Sequence, residues 1–233
     1  MSFDFKKLEE KLFSLKDEKF YDFNSSLIPS VKKDSVIGIK TPLLKQIAKE
    51  IFLNEDYSSF LDELPHKYFE ENQIHAFLLF YIKDYEKLIF ELEKFFPFVD
   101  NWATCDQIKI KINKKNLFEF EQKINSWLYC GDENEYCVRF AVRMLMNFFL
   151  DENFNAEVLQ KVLKIKTEKY YVKMMISWFF ATALAKQYEE TIKIFYEKKM
   201  DLWIFNKSIQ KALESFRVPK EHKDELRKLK TPL

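Results

Sequence analysis

Trp102 and Asp106 are the pair of residues whose types and spacing most directly suggest chemistry. At a separation of four on a helix, an indole and a carboxylate share one face, about a turn apart. An aromatic wall beside an anion suits a ligand that is cationic or develops positive charge as it reacts. The plainer account makes Trp102 a core anchor and Asp106 a surface or capping carboxylate. Arg139 and Arg143 repeat the one-turn spacing inside the apolar segment YCVRFAVRMLMNFFL. A guanidinium in such a stripe must reach solvent, a carboxylate or a phosphate. Pairing with an acid of a neighbouring repeat is the bland alternative to phosphate clamping. Trp178 follows Lys173 by five residues in YYVKMMISWFFATALAK, and a Trp in such a helix is ordinarily packing. Lys109, Lys111, Lys114 and Lys115 form a basic run, and Lys207 and Lys211 share a face. These lysines are either solvated surface groups or, with Arg139, the lining of a groove that touches DNA backbone rather than base edges.

Other chemistries find less support. Cys105, Cys130 and Cys137 are odd in number and lack a zinc spacing, so reduced thiols in or near the core are expected. His66, His75 and His222 lie far apart, and a catalytic or metal cluster built on them requires chance convergence. With 38 basic and 37 acidic residues the net charge is +1, so no global field draws the chain to polyanions. Binding of nucleic acid then requires charge segregated onto one face. No apolar run approaches the roughly 20 residues needed to cross a bilayer. The opening MSFDFKKLEEKLF lacks an apolar signal region, and a cytoplasmic location is expected.

The elements that must position these residues read as helices. Of 233 residues, 47% are hydrophobic and 17% aromatic, enough for a substantial core, whereas only 2 are Gly and 6 are Pro. Sheets need turn residues at every reversal, so this scarcity favours helices joined by short polar loops. A 3.6-residue period divides the chain into roughly 14 helical segments of about 10 to 16 residues. Thr41-Pro42 starts one helix, Pro65 opens another, and Asn101 or Asp100 caps the one holding Trp102 and Asp106. Asn116, Asp132 or Asn134, and Asn153 precede later ones. Breaks between pairs recur about every 35 to 45 residues, as in HEAT-like hairpins. The expected fold is all-α, a HEAT-like helical-repeat solenoid (an α-α superhelix), with residues 1–233 forming a single domain. Its inner helices, at 102–111, 138–149, 172–186 and 206–216, would line one concave surface.

Taken in order, these motifs resemble the DNA alkylation repair family, the AlkD-type HEAT-like DNA glycosylases. The resemblance runs from about Lys6 to about Leu229. Its most specific piece is Asn101-Trp102-Ala103-Thr104-Cys105-Asp106, similar to the family's W-x-x-x-D element. Gly38-Ile39-Lys40-Thr41-Pro42, Val138-Arg139-Phe140-Ala141-Val142, and Lys173 followed by Trp178 support it. The resemblance implies a concave face that holds duplex DNA, mainly by its phosphates. It also implies hydrolytic release of cationic N3- or N7-alkylated purines, with no metal or organic cofactor. Asp106 would stabilise the sugar oxocarbenium and position water, Trp102 and Trp178 would flank the deoxyribose, and Arg139 would hold the backbone. Arg143, Lys109, Lys111, Lys173, Lys207 and Lys211 are the further DNA-binding candidates. A monomer is expected, nucleoid-associated when bound to DNA. The chain departs from the family at Phe180-Ala181-Thr182, where Leu-Arg-Glu is typical, and at Pro29 to Lys33, which lacks the usual aromatic residue. Two alternatives therefore stay open, a DNA-binding protein that does not excise bases and a protein-interaction scaffold.

Overall fold

The computed structural model describes residues 3–54 and 56–230. Among the described residues there are fourteen α-helices and no strand. The chain forms two compact units, Met1–Leu117 and Phe118–Leu233. The first holds α1 (Phe5–Ser14), α2 (Glu18–Leu27), α3 (Thr41–Asn54), α4 (Tyr57–Asp62), α5 (Phe69–Leu78), α6 (Tyr85–Phe95) and α7 (Trp102–Gln107). The second holds α8 (Leu117–Leu128), α9 (Glu135–Phe148), α10 (Glu157–Leu163), α11 (Tyr170–Lys186), α12 (Tyr188–Glu197), α13 (Leu202–Glu214) and α14 (Lys220–Leu229).

Local chemistry explains where the helices begin. Asp4, Asp17, Asp84, Asn101 and Asp201 each accept a backbone N–H three residues ahead, at 2.7 to 3.0 Å. Each such cap stabilises its helix by about 1 kcal/mol. Two expected starts move. The helix expected from Pro65 begins at Phe69, because the buried Glu71 carboxylate accepts the Lys67 and Tyr68 N–H groups and fixes the turn there. For α10 the capping side chain is Asn155, which accepts from Val158, whereas the Asn153 amide donates back to the Phe148 carbonyl. The lengths spread more widely than the period suggests, from 6 residues in α4 and α7 to 17 in α11.

Packing follows the repeat logic inside each unit. In the first, α5 lies between α3 and α7; in the second, α11 lies between α9 and α13, with α12 and α14 folded against α11 and α13. This recurrent stacking of alternate helices is the HEAT-like arrangement expected from the spacing. Fully buried phenylalanines fill the interior, Phe60 and Phe95 in the first unit and Phe120, Phe140, Phe179, Phe180 and Phe195 in the second. Cys105 and Cys137 are buried, Cys130 is half-buried, and all three are free thiols. No helix among the described residues is long and apolar enough to cross a membrane.

Two histidines that are separate in sequence meet in space. His66 Nε2 lies 2.9 Å from His75 Nδ1, with His66 stacked on Phe60 and His75 on Phe95. Burial pushes the His66 pKa down to about 4, and burial, with smaller contributions from His66 and Lys94, pushes that of His75 well below its ordinary value. An imidazole whose folded pKa is depressed leaves more protons on the unfolded chain, so stability falls as pH drops from about 6.5 toward 4. We expect His66 alone to remove about 2 kcal/mol between pH 7 and 5, with His75 adding to it. Urea midpoints across this range check it. A His66→Gln, His75→Leu double variant should flatten the slope, and a wild-type midpoint constant from pH 7 to 5 would contradict the assignment.

Candidate nucleic-acid interface

The Trp102–Asp106 turn is held from beneath by buried polar groups. Asn101, fully buried, accepts the Thr104 N–H at 2.7 Å and donates to the Thr104 Oγ1 at 3.0 Å and to Asp100 at 2.8 Å. Gln73 of α5 donates to the same Oγ1 at 2.9 Å. A hydrogen bond inside a low-dielectric core is stronger than in water, and a satisfied network fixes one geometry. A six-residue helix could not hold its register alone. Trp102 is half-exposed. Its Nε1 donates to the Leu27 carbonyl at 2.9 Å, and its ring packs on Ile28, Val31, Val36 and Phe69. Asp106, half-buried, follows one turn later. The shared face expected from the spacing is present.

The same α5 fixes the segment on which Trp102 rests. Glu70, with no exposed surface, accepts the N–H groups of Ile37 at 3.0 Å, Gly38 at 2.7 Å and Ile39 at 3.4 Å. Burial pushes its carboxyl pKa up, and these N–H groups pull it partly back. Gly38 adopts φ +94°, and a Cβ there would lie 2.6 Å from the Tyr21 Cβ, so the position requires glycine on two counts. The Gly38-to-Pro42 motif is thus a clamped loop that leads into α3.

The lysines of the first unit gather around aromatic faces. Lys109 is exposed and lines a cavity of about 230 Å³ with Lys45, Phe77, Phe80, Tyr81 and Gln107. The Lys111 ammonium sits 4.1 Å from the centre of the Phe80 ring, and that of Lys45 sits 5.4 Å from Phe77. Interleaved lysines and rings suit a nucleic-acid strand, whose phosphate charge and flat bases they match.

In the second unit the expected residues take different surroundings. Arg139 is buried, and its Nη1 donates to the Tyr171 carbonyl at 2.6 Å. Arg143 is also buried, with its guanidinium 5.5 Å from the centre of the Phe140 ring. Lys173 pairs with Glu168 at 2.9 Å and with Asp201 at 3.9 Å, so its charge is largely matched within the protein. Trp178 is 46% exposed between buried Ser177 and Phe179. Lys207 donates to Gln210 at 2.9 Å, and Lys211, half-buried, lies within electrostatic reach of Lys207 and Arg139. Trp178 and Lys211 line one cavity together with Ala181 and Arg217. Sequence reading did not single out Glu70, Gln73, Lys45 or Arg217. For Arg217 a signal existed, an arginine beside an aromatic residue in the short break before Pro219.

These features define an all-α helical-repeat protein with a rigid Trp–Asp turn and basic, aromatic-lined hollows. A family model described as DNA alkylation repair enzyme matches residues 8–216. The chain belongs to that family, whose members act in DNA alkylation repair, as the resemblance of its motifs implied. No curated protein and no solved structure matches it.

Proposed function

We propose that this chain is a DNA glycosylase that hydrolyses the N-glycosidic bond of N3- or N7-alkylated purines in duplex DNA. The observation that carries the reading is the Trp102–Asp106 turn, presented half-exposed on a helix locked by the buried Asn101–Thr104–Gln73 network. An alkylated purine of this class is a cation, so it leaves readily. The C1′–N bond breaks, its electron pair neutralises the base, and positive charge develops on the sugar. Asp106 stabilises that charge and orients water, whose oxygen bonds to C1′ while its proton is released to the carboxylate or to solvent. The Trp102 ring lies beside the sugar cation. Trp178 and Arg139 carry over from the family resemblance as contacts to deoxyribose and backbone, and the exposed Lys109 and Lys111 supply further backbone contacts. The family resemblance implies that the lesion need not enter a tight flipped-base pocket, unlike the base-flipping arrangement common to such enzymes.

A second reading, binding of damaged DNA without excision, is favoured by Ala181, which supplies no cation where the family typically has arginine. The two separate in one assay, the release of N7-methylguanine and N3-methyladenine from alkylated duplex. Release by wild type supports excision. Binding without release of either base supports the second reading and sinks the first.

A further inference from the structure

Helix α13 ends at Glu214, and the turn that follows is pinned at both ends. Ser215 Oγ accepts the Arg217 N–H at 3.2 Å, and Val218 is buried. Between these anchors Phe216 projects wholly into solvent, at 103% exposure. Single exposed apolar residues are ordinary. Phe216 differs in what adjoins it. Beside the turn, α11 and α13 enclose a cavity of about 350 Å³ whose lining includes Trp178, Ala181, Thr182, Lys211, Glu214 and Arg217. Ala181 leaves the space that a longer side chain would fill.

Two cations face this hollow. Among the described residues, neither Lys211 nor Arg217 has a carboxylate within ion-pair distance, unlike Lys173, Lys161 and Lys186 of the same unit. Burial lowers the Lys211 ammonium pKa, and the neighbouring Lys207 and Arg139 charges lower it further against an opposing pull from Glu214. A half-buried ammonium among like charges gains most from an incoming anion. Glu214 opposes such an anion, although its carboxylate already accepts the Gln210 amide at 3.0 Å. The hollow also offers Trp178 as an apolar wall, and Phe216 stands in the chain between its lining residues Ser215 and Arg217. Inorganic phosphate could use the cations but would leave both rings uncovered. A nucleotide carries, beside its phosphate, the apolar sugar and base surface that such rings accept.

We propose that this cavity is a backbone-phosphate site for duplex DNA, in which Lys211 and Arg217 hold one phosphodiester and Phe216 lies against the adjoining sugar. The proposal rests on the reading of this chain as a DNA-binding repair protein. It assigns Arg217 and Phe216, and it gives Lys211 a specific partner.

The test is a salt titration of binding to an undamaged duplex, followed by Trp178 fluorescence. Wild type is compared with Lys211→Gln, Arg217→Gln, Phe216→Ala and Glu214→Gln. Each lost cation should reduce the slope of log K against log salt by about 1. The double Lys211→Gln, Arg217→Gln variant should weaken binding by roughly tenfold or more at low salt. Phe216→Ala should weaken binding several-fold at unchanged slope, because a ring carries no charge. Glu214→Gln should strengthen it. An unchanged slope in the double variant overturns the site even if excision of alkylated bases persists. A lowered slope without base release leaves the site standing and removes the glycosylase reading. Trp178 quenching by inorganic phosphate alone, equal to that by duplex and absent in Trp178→Phe, overturns the assignment to DNA and leaves a free-anion site.

Discussion

Asp106→Asn is expected to lower single-turnover release of N7-methylguanine by about 10²–10³-fold, the loss found when one preorganised charge-stabilising group is removed from an active site. On the glycosylase reading, duplex affinity should hold or rise slightly, because the variant removes a negative charge that would face a polyanion. The amide keeps the size and rotamer of the carboxylate but cannot stabilise a developing cation by Coulomb attraction. The comparison therefore isolates charge from shape. Release within about fivefold of wild type would move the chemistry away from Asp106, and a parallel loss of binding and release would make it a structural residue.

The second large effect concerns stability. Glu70→Ala is expected to destabilise the fold by about 3–4 kcal/mol, read as a lowered urea midpoint. Two effects compete. An apolar residue removes the desolvation cost that raises the Glu70 pKa, but it leaves the Ile37, Gly38 and Ile39 N–H groups buried without their acceptor. Each orphaned N–H costs about 1–3 kcal/mol, so three of them outweigh the relief. Glu70→Gln keeps a carbonyl oxygen for part of the loop but sets an NH₂ against another donor, so it should fall between wild type and Ala. An Ala variant as stable as wild type would show that the loop holds itself.

The ranking of these effects follows what was legible in the sequence. The Trp102–Asp106 spacing, the Asn101 cap and the start at Thr41-Pro42 were legible because each is a local rule, decided within four residues. The helical-repeat class was legible from the pairing of apolar periods. The role of α5 was not. Every residue from Phe69 to Leu78 is buried, including Glu70, Glu71, Asn72, Gln73 and His75, so no polar face marks its orientation. A helix surrounded by protein satisfies polar side chains by contacts distant in sequence, and periodicity carries no record of them. The His66–His75 contact was missed for this reason. The spacing of Lys207 and Lys211 marks one face of α13, but Arg217, which lines the same hollow as Lys211, lies beyond the helix end. A period computed along one helix stops where that helix stops.

The hydrogen bond from Trp102 to Leu27 bears on selectivity. Indole has a single donor and no acceptor, and here that donor already serves the end of α2. What remains available to a nucleotide is the part of the ring turned away from the Ile28–Val31–Val36–Phe69 cluster, which carries only C–H groups and π surface. Such a surface cannot distinguish the donor and acceptor pattern of adenine from that of guanine. On the glycosylase reading, a ring set beside the sugar responds to the positive charge that develops there and not to the base's hydrogen-bonding pattern, so one turn of helix can serve chemically modified purines of either parentage.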